Sequence, residues 1–573
     1  MPISSPIIDV DIPPVDVTSF FFSKAQARLD SLVAAGEIEP SIVVDTISGH
    51  SLRFSDIQKQ ANAIAYSVAA RLPTATSRRS TQNKLDSTVI VFSPNSILCV
   101  SIHFGALMAG CTYAMMEPEL DASLLATRLK ETEPIVAAFV DPQLLPVFIE
   151  ALNKADIEFP AESLLLLGGD NSSYSSFDSL LLDATDKQFS PCSFSESELA
   201  EKVALIIYSS GVTGPPKGIM LTHRNIVAMM VMVGGYSARS SVVSNKTSSP
   251  ATSRRSQSHI LSALPLWHIY GHCVLCYQPF INGDCAVQLP SFEATAYLGA
   301  IEKYGVNRIS GTPRLLHALL RETTKVGENT AIVDAHPSRK FDIGTVKVVG
   351  CGGSSLPPAL KQKCSDYFGG APVVVGYGMT ESTSIIAGNS WCTPAPGAVG
   401  VLYPNTIAKV VDAQGNETSG IGELCISGPH IMKGYIGSES VFKSIDGFFH
   451  TGDYVQLSKN GHVYLHGRLT DIIHTSQGPV SPTDVESILA TCPAIEDSAV
   501  VGVGTQGSAQ AVACVILARS QTPKENLLAD ITQWIRKQAG NEEIACCETT
   551  AIPKTISGKI LRRCLVEQII MHR

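Results

Sequence analysis

From Val89 to Met116 the chain carries no Asp, Glu, Lys or Arg. A charge-free run of that length belongs inside a membrane or inside a protein. Pro94, Asn95, Ser96, His103, Gly105 and Gly110 interrupt it. A soluble strand–turn–helix absorbs those residues better than a spanning helix does. The spacing predicts a strand over Val89–Ser93, a turn at Pro94-Asn95 and a helix over Ile97–Ala109. Apolar strand-like runs alternate with helical patterns from about Val89 through Ile386, which predicts α/β layering. A chain of 573 residues is too long for one core. The pattern changes near Gly467-Arg468-Leu469-Thr470-Asp471, and a shorter α+β segment follows. The expected division is therefore 1–469 and 470–573. No internal repeat is evident. Thr74 to Lys84 and Ser237 to Ser258 read as polar surface loops, and Arg254-Arg255 as a solvated pair within the second.

Composition narrows the class. Apolar content of 45% and charged content of 17% suit a soluble globular enzyme. The net charge is −9, with both signs interspersed, which argues against a nucleic-acid surface. The 15 cysteines are odd in number and follow no repeating pattern. The N-terminus has no basic leader and carries Asp9 and Asp11. Reduced thiols in an intracellular protein are expected. The chain ends Met571-His572-Arg573 and not Ser-Lys-Leu, so the expected location is cytoplasmic.

Chemistry first shows at Tyr208-Ser209-Ser210-Gly211-Val212-Thr213-Gly214-Pro215-Pro216-Lys217-Gly218. The apolar run Val203 to Ile207 before it reads as a buried strand, and Ile226 to Val233 after it as helix or strand. A small-residue loop at the end of a core strand can wrap backbone N–H groups around phosphate oxygens. Hydroxyls add donors and Lys217 adds charge, so the loop suits a nucleotide triphosphate. The plainer alternative is a surface turn. The order of residues is not that of a P-loop, because Lys217 follows two prolines and precedes Gly218. The string instead resembles the phosphate loop of the adenylate-forming, AMP-binding superfamily. That superfamily includes acyl-CoA synthetases, 4-coumarate–CoA ligases, luciferases and peptide-synthetase adenylation domains. Val212 stands where the family commonly has Thr, and Pro215 where it often has Leu.

The resemblance runs from about Asp45 to Arg563 and is nearest to the acyl-CoA synthetase and 4-coumarate–CoA ligase-like branch. It is also similar to fungal natural-product ligases. It implies a large N-terminal domain of layered sheets and helices that binds ATP and acid, plus a small mobile α+β lid. Ser209, Ser210, Gly211, Thr213, Gly214 and Lys217 would hold phosphate. Leu264-Pro265-Leu266-Trp267-His268-Ile269-Tyr270-Gly271 resembles the segment lining the acyl pocket, with Trp267 and His268 as wall or gate. His268, His272, Cys273 and Cys276 are also zinc-ligand types. Their spacing is cramped, and buried packing is the commoner fate of such a cluster.

Two further strands run into glycine turns. In Val346-Lys347-Val348-Val349-Gly350-Cys351-Gly352-Gly353-Ser354, the resemblance places Gly352, Gly353 and Ser354 beside adenine and the acyl pocket. A plain strand–helix turn is the alternative. In Val373-Val374-Val375-Gly376-Tyr377-Gly378-Met379-Thr380-Glu381-Ser382, it implies Tyr377 stacked on adenine and Gly378 and Met379 along the nucleotide. Thr380 would lie on the α-phosphate and Glu381 on Mg²⁺. A charge at a helix N-terminus is the other reading of Glu381. In Phe449-His450-Thr451-Gly452-Asp453, Asp453 would accept from both ribose hydroxyls, and Arg468 would reach ribose or phosphate. Gly467 stands where many relatives have Asp. Thr470 takes the hinge position. In Ile552-Pro553-Lys554-Thr555-Ile556-Ser557-Gly558-Lys559, the resemblance makes Lys559 the catalytic lysine. A basic surface tail with Arg562 and Arg563 is the alternative.

The implied chemistry is activation of a small carboxylic acid by ATP and Mg²⁺, then transfer to a thiol. Catalytic roles fall to Lys559, Thr380, Glu381 and His268. One departure bears on the acceptor. After Asp471-Ile472-Ile473 the family usually continues with a Lys-Gly-Phe-Gln-like string, and this chain has His474-Thr475-Ser476-Gln477-Gly478-Pro479. Glu486 then matches again, while Gln538 to Cys547 lacks the basic residues common there. Three readings stand: an acid–CoA ligase of the aryl or medium-chain kind, a ligase serving the phosphopantetheine of an acyl carrier protein, and a non-catalytic nucleotide-binding relative.

Overall fold

A computed structural model describes all residues except 1, 73–84, 86, 170–172, 185, 210–215, 244–256, 326–340, 390–394, 438–445, 505–508, 518–525, 555–559 and 573. The charge-free run forms the strand Thr88–Phe92 and the helix Leu98–Met108, close to expectation. Every residue of the strand is buried, as is the helix from Cys99 to Met108. Two of its polar side chains find partners inside. Ser101 Oγ donates to Gln60 Oε1 at 2.6 Å, and Tyr277 Oη lies 3.1 Å from His103 Nε2. No described helix is long and apolar enough to cross a membrane.

Thr88–Phe92 sits within an eight-stranded sheet. Its parallel neighbours are Thr112–Met116 and Ile135–Val140. Val203–Tyr208 and Gly218–Thr222 pair antiparallel toward one edge, where Gly434–Tyr435 is added. A second sheet has fourteen strands. Its parallel part holds Cys285–Gln288, His259–Ser262, Arg308–Gly311, Val348–Cys351 and Val373–Tyr377. Strands buried on both faces suit such near-continuous apolar runs. Its antiparallel part holds Ile407–Val411, Ile421–Ser427, Phe449–Leu457 and His462–Arg468.

The strand expected from Val346 begins at Val348 and continues to Cys351. The stretch expected as a loop from Ser237 is helical as far as Val243, because the helix His223–Val243 continues beyond its apolar part. A helix that leaves the core and turns polar resembles a loop in sequence, since established helix propagates cheaply. The polar stretches at 74–84 and 254–255 lie outside the described residues.

Residues from 473 onward have apolar clusters of their own. One gathers Val485, Leu489, Val500, Ala513, Ile531 and Ile535, and a second gathers Val501, Val512, Cys514 and Leu565. A three-stranded sheet of Ile495–Val503, Gln510–Leu517 and Ala545–Glu548 is covered by the helices Pro482–Leu489, Leu527–Ala539 and Arg562–His572. The chain is thus a large α/β domain followed by a small α+β domain.

Among the described residues four histidines are enclosed: His103, His223, His272 and His430. Burial lowers the pKa of all four, to about 4 for His223 and His272 and about 3 for His430. The unfolded chain takes up these protons below its ordinary value near 6.5, and the folded chain does not. Stability should therefore be full above pH 6.5 and fall toward pH 4. The slope is about 1.4 kcal/mol per pH unit for each histidine. Denaturant midpoints measured between pH 7 and 4.5 check this, and a flat profile over that range contradicts it.

Candidate active site

Three strand ends and the small domain face one cleft of about 3470 Å³. The phosphate-loop candidate begins where Val203–Tyr208 stops and ends where Gly218–Thr222 starts. Its neck is closed by two bonds. Ser209 N–H donates to the Lys217 carbonyl at 3.0 Å, and Lys217 N–H donates to Ser209 Oγ at 3.2 Å. Both residues line the cleft. Ser210, Gly211, Thr213 and Gly214 lie outside the described residues.

Lys217 and Glu381 are joined by a residue that the motif reading passed over. Tyr435 carries the Lys217 ammonium 4.8 Å above its ring and donates its hydroxyl to Glu381 Oε1 at 3.1 Å. Burial, then the Glu381 charge, pushes the Tyr435 phenol up, so it stays a donor. Strand pairing brings Tyr435 opposite Ile219, just past the phosphate loop. Local sequence carries no signal of that pairing.

Glu381 stands in a single 3-10 turn, Thr380–Ser382. The helix-terminus reading of this carboxylate therefore has only one turn of dipole behind it. The turn folds back tightly: a Cβ on Gly378 would lie 2.0 Å from the Ser384 carbonyl oxygen. Gly378→Ala should cost about 1–3 kcal/mol and displace Thr380 and Glu381. A lowered melting temperature together with a raised KM for ATP is the expected pair of results. Wild-type values for both would contradict it.

Asp453 is the most enclosed carboxylate of the cleft, 5% exposed. Tyr377 Oη donates to its Oδ2 at 2.6 Å, and Arg468 Nε lies 3.0 Å from its Oδ1. Asp453 and Arg468 are cross-strand neighbours, so backbone register sets their pairing. Arg468 also donates to the Thr451 carbonyl at 2.9 Å. Burial, then the Asp453 charge, raises the Tyr377 pKa and keeps that phenol protonated. The Gly467 departure has a backbone reason: its φ is +131°, and a Cβ would meet Thr483 Oγ1 at 2.9 Å.

Gly352, Gly353, Ser354, Met379 and Thr380 line the same cleft, as do Trp267 and His268. His268 precedes the short helix Ile269–His272 and its carbonyl accepts from His272 N–H at 2.9 Å. The alternative zinc set is not gathered. Cys273 and Cys276 are buried, and burial pushes the Cys273 thiol up to about 12. Core packing explains them.

Lys559 lies outside the described residues, while the residues flanking that segment pair with each other. Lys554 and Ile560 bridge each other, and Leu561 N–H donates to the Pro553 carbonyl at 2.9 Å. Lys554 Nζ is 2.6 Å from Asp497. Arg562 does not belong to a solvated tail. Its guanidinium meets Glu486 at 2.5 Å and Asp471 at 3.3 Å, and donates to the Val500 carbonyl at 2.6 Å. Thr470 lies in the 3-10 turn Leu469–Asp471, beside that ion pair. The departure at His474–Pro479 is a hairpin of Ile473–Thr475 and Gly478–Val480, with Ser476 N–H donating to Glu543 at 3.1 Å.

Comparison with known proteins agrees with this layout. The sequence profile described as AMP-binding enzyme matches residues 60–436, and that described as AMP-binding enzyme C-terminal domain matches residues 484–559. The peroxisomal OPC-8:0-CoA ligase 1 of Arabidopsis thaliana is 26% identical over 97% of this chain and 93% of its own length. The 4-coumarate–CoA ligase-like 9 of the same plant is 27% identical over 97% and 92%. The crystal structure of an anthranilate CoA ligase with anthranoyl-AMP superposes with a TM-score of 0.74 at 20% identity, covering 96% of this chain and 98% of that one. ATP-bound MatB from Rhodopseudomonas palustris gives 0.73 at 21% identity over 96% and 98%.

Proposed function

Since the chain belongs to the AMP-binding enzyme family and is an acid–thiol ligase, we propose that its cleft joins a carboxylic acid to the α-phosphate of ATP. The observation that carries this reading is the convergence of the Ser209–Lys217 loop neck, Glu381 and the Asp453–Arg468 pair on one cavity. Asp453 accepts from the ribose hydroxyls, and Arg468 reaches ribose or phosphate. Gly352, Gly353, Ser354, Tyr377, Gly378 and Met379 border the adenine and acyl ends. Thr380 donates to the α-phosphate. Trp267 and His268 wall the acyl side. We place the domain boundary at 469/470, with Thr470 as hinge and 470–573 as a mobile lid.

Glu381 fits a magnesium ligand, because it is a single carboxylate beside the phosphate loop and Mg²⁺ takes its other oxygens from phosphate and water. When bound, the ion neutralises phosphate charge. Lys217 from the large domain and Lys559 from the lid supply the remaining positive charge where negative charge builds up. The carboxylate oxygen forms a bond to the α-phosphorus, the bond to pyrophosphate breaks, and acyl-AMP results. Positioning and charge neutralisation carry most of that step. A thiolate then attacks the acyl carbon, AMP leaves with the bonding pair, and a thioester forms.

Coenzyme A is the acceptor in the leading reading. The replacement of the Lys-Gly-Phe-Gln-like string by His474–Pro479 supports a second one, a carrier-protein phosphopantetheine. Acid-dependent exchange of labelled pyrophosphate into ATP, over a panel of aryl, fatty and polyketide-like acids, tests the first half-reaction. Exchange with no acid on the panel counts against it. Mass detection of acyl-CoA or of an acylated carrier separates the acceptors. The expected setting is the cytoplasm, and fractionation of the source cells tests it.

A further inference from the structure

We propose that Glu423, Cys425 and His450 form a binding site for one divalent transition metal of the zinc class. Glu423 and Cys425 are two apart on the strand Ile421–Ser427, so they project to the same face. His450, on the strand Phe449–Leu457, is the cross-strand partner of Cys425. The register shift that follows places Glu423 opposite Tyr454. His450 Nδ1 is consequently 2.8 Å from Glu423 Oε2 and 3.4 Å from Cys425 Sγ. All three ligand atoms lie within 4.8 Å of one another. Among the described residues no other set of three such side chains comes this close. Ligand atoms around a tetrahedral zinc ion lie about 3.2–3.8 Å apart, so small side-chain shifts suffice.

The donor set of thiolate, imidazole and carboxylate is the set that zinc accepts, and it is too soft for magnesium. This separates the site from Glu381. A cysteine ligates as thiolate, so metal binding must release the Cys425 proton to solvent. A cation also stands nearby: Lys409 is the cross-strand partner of Cys425 on the other side. Its ammonium is already paired with Asp446 and lies 3.8 Å from Glu417, which lowers its repulsion of an incoming ion. The His450 side chain is 42% exposed, which leaves an entry path and room for a water as fourth ligand. Both Glu423 oxygens have partners, and a metal would replace the contact between Oε2 and His450 Nδ1. Glu423 Oε1 accepts the Gly452 N–H at 3.0 Å, so a metal on Oε2 clamps the residue preceding Asp453.

Titration of the purified full-length chain with Co²⁺ in the absence of nucleotide tests this without using activity. The expected result is one Co²⁺ per chain with an intense near-ultraviolet thiolate-to-cobalt band, bleached by added Zn²⁺. The band should be lost in Cys425→Ser and kept in Cys192→Ser, an exposed cysteine elsewhere. His450→Ala, at an exposed position, guards against misfolding of the buried-cysteine variant. Zn²⁺ should raise the melting temperature of wild type and leave that of His450→Ala unchanged. Absence of the band in wild type, or its survival in Cys425→Ser, overturns the proposal.

Discussion

Asp453→Ala is expected to weaken AMP and ATP binding on the order of 100-fold, read by calorimetry. Two effects add. The variant loses the acceptor proposed for the ribose hydroxyls, and charged hydrogen bonds contribute about 1.5–3 kcal/mol each. It also strands Arg468 and Tyr377, which both point at that carboxylate. Removing one member of a buried pair leaves the other charge uncompensated, at a cost of about 3–5 kcal/mol where solvent cannot reach. Arg468 keeps its bond to the Thr451 carbonyl and is one-third exposed, which moderates that cost. Asp453→Asn keeps the acceptor shape and should fall between wild type and Ala. A nucleotide affinity within twofold of wild type in both variants would falsify the assignment.

Lys559→Ala is expected to slow acyl-adenylate formation 10²-fold or more, the scale seen when an oriented donor of positive charge is removed. Thioester formation from a supplied acyl adenylate should stay within a few fold of wild type. The asymmetry is the informative part, because a merely structural lysine would depress both steps together. Single-turnover measurement of each half-reaction separates the two cases. If both fall equally, the lysine has been given the wrong task.

Much of the candidate site was legible in the chain as residues that meet in one cleft, and the reason is local. Ser209, Lys217, Thr380, Glu381, Asp453 and Arg468 sit in short strings where strands end in small residues. Loops at strand ends are where a layered α/β fold presents its ligand-binding groups. Residues that act across the fold were not legible. Tyr435 reaches Glu381 and Lys217 only because its strand is added to the edge beside Ile219. A basic tail stood as an alternative at Arg562 because its partners Glu486 and Asp471 are remote in sequence. The Cys425–His450 pair depends on strand register. A one-residue slip would send those side chains to opposite faces. The helix His223–Val243 was cut short in the reading because its last turns lack an apolar stripe.

Arg562 has a practical consequence for anyone recombining this protein with a relative. The guanidinium ties the final helix to Glu486 and, beyond it, to Asp471 at the connection between the domains. A hybrid joined between Asp471 and Arg562 would mate one parent's arginine with at least one acid of the other parent, and any mismatch in reach would strand a largely buried cation. The natural breakpoint lies upstream of Asp471, so that the cation and both its counter-ions travel as inherited luggage.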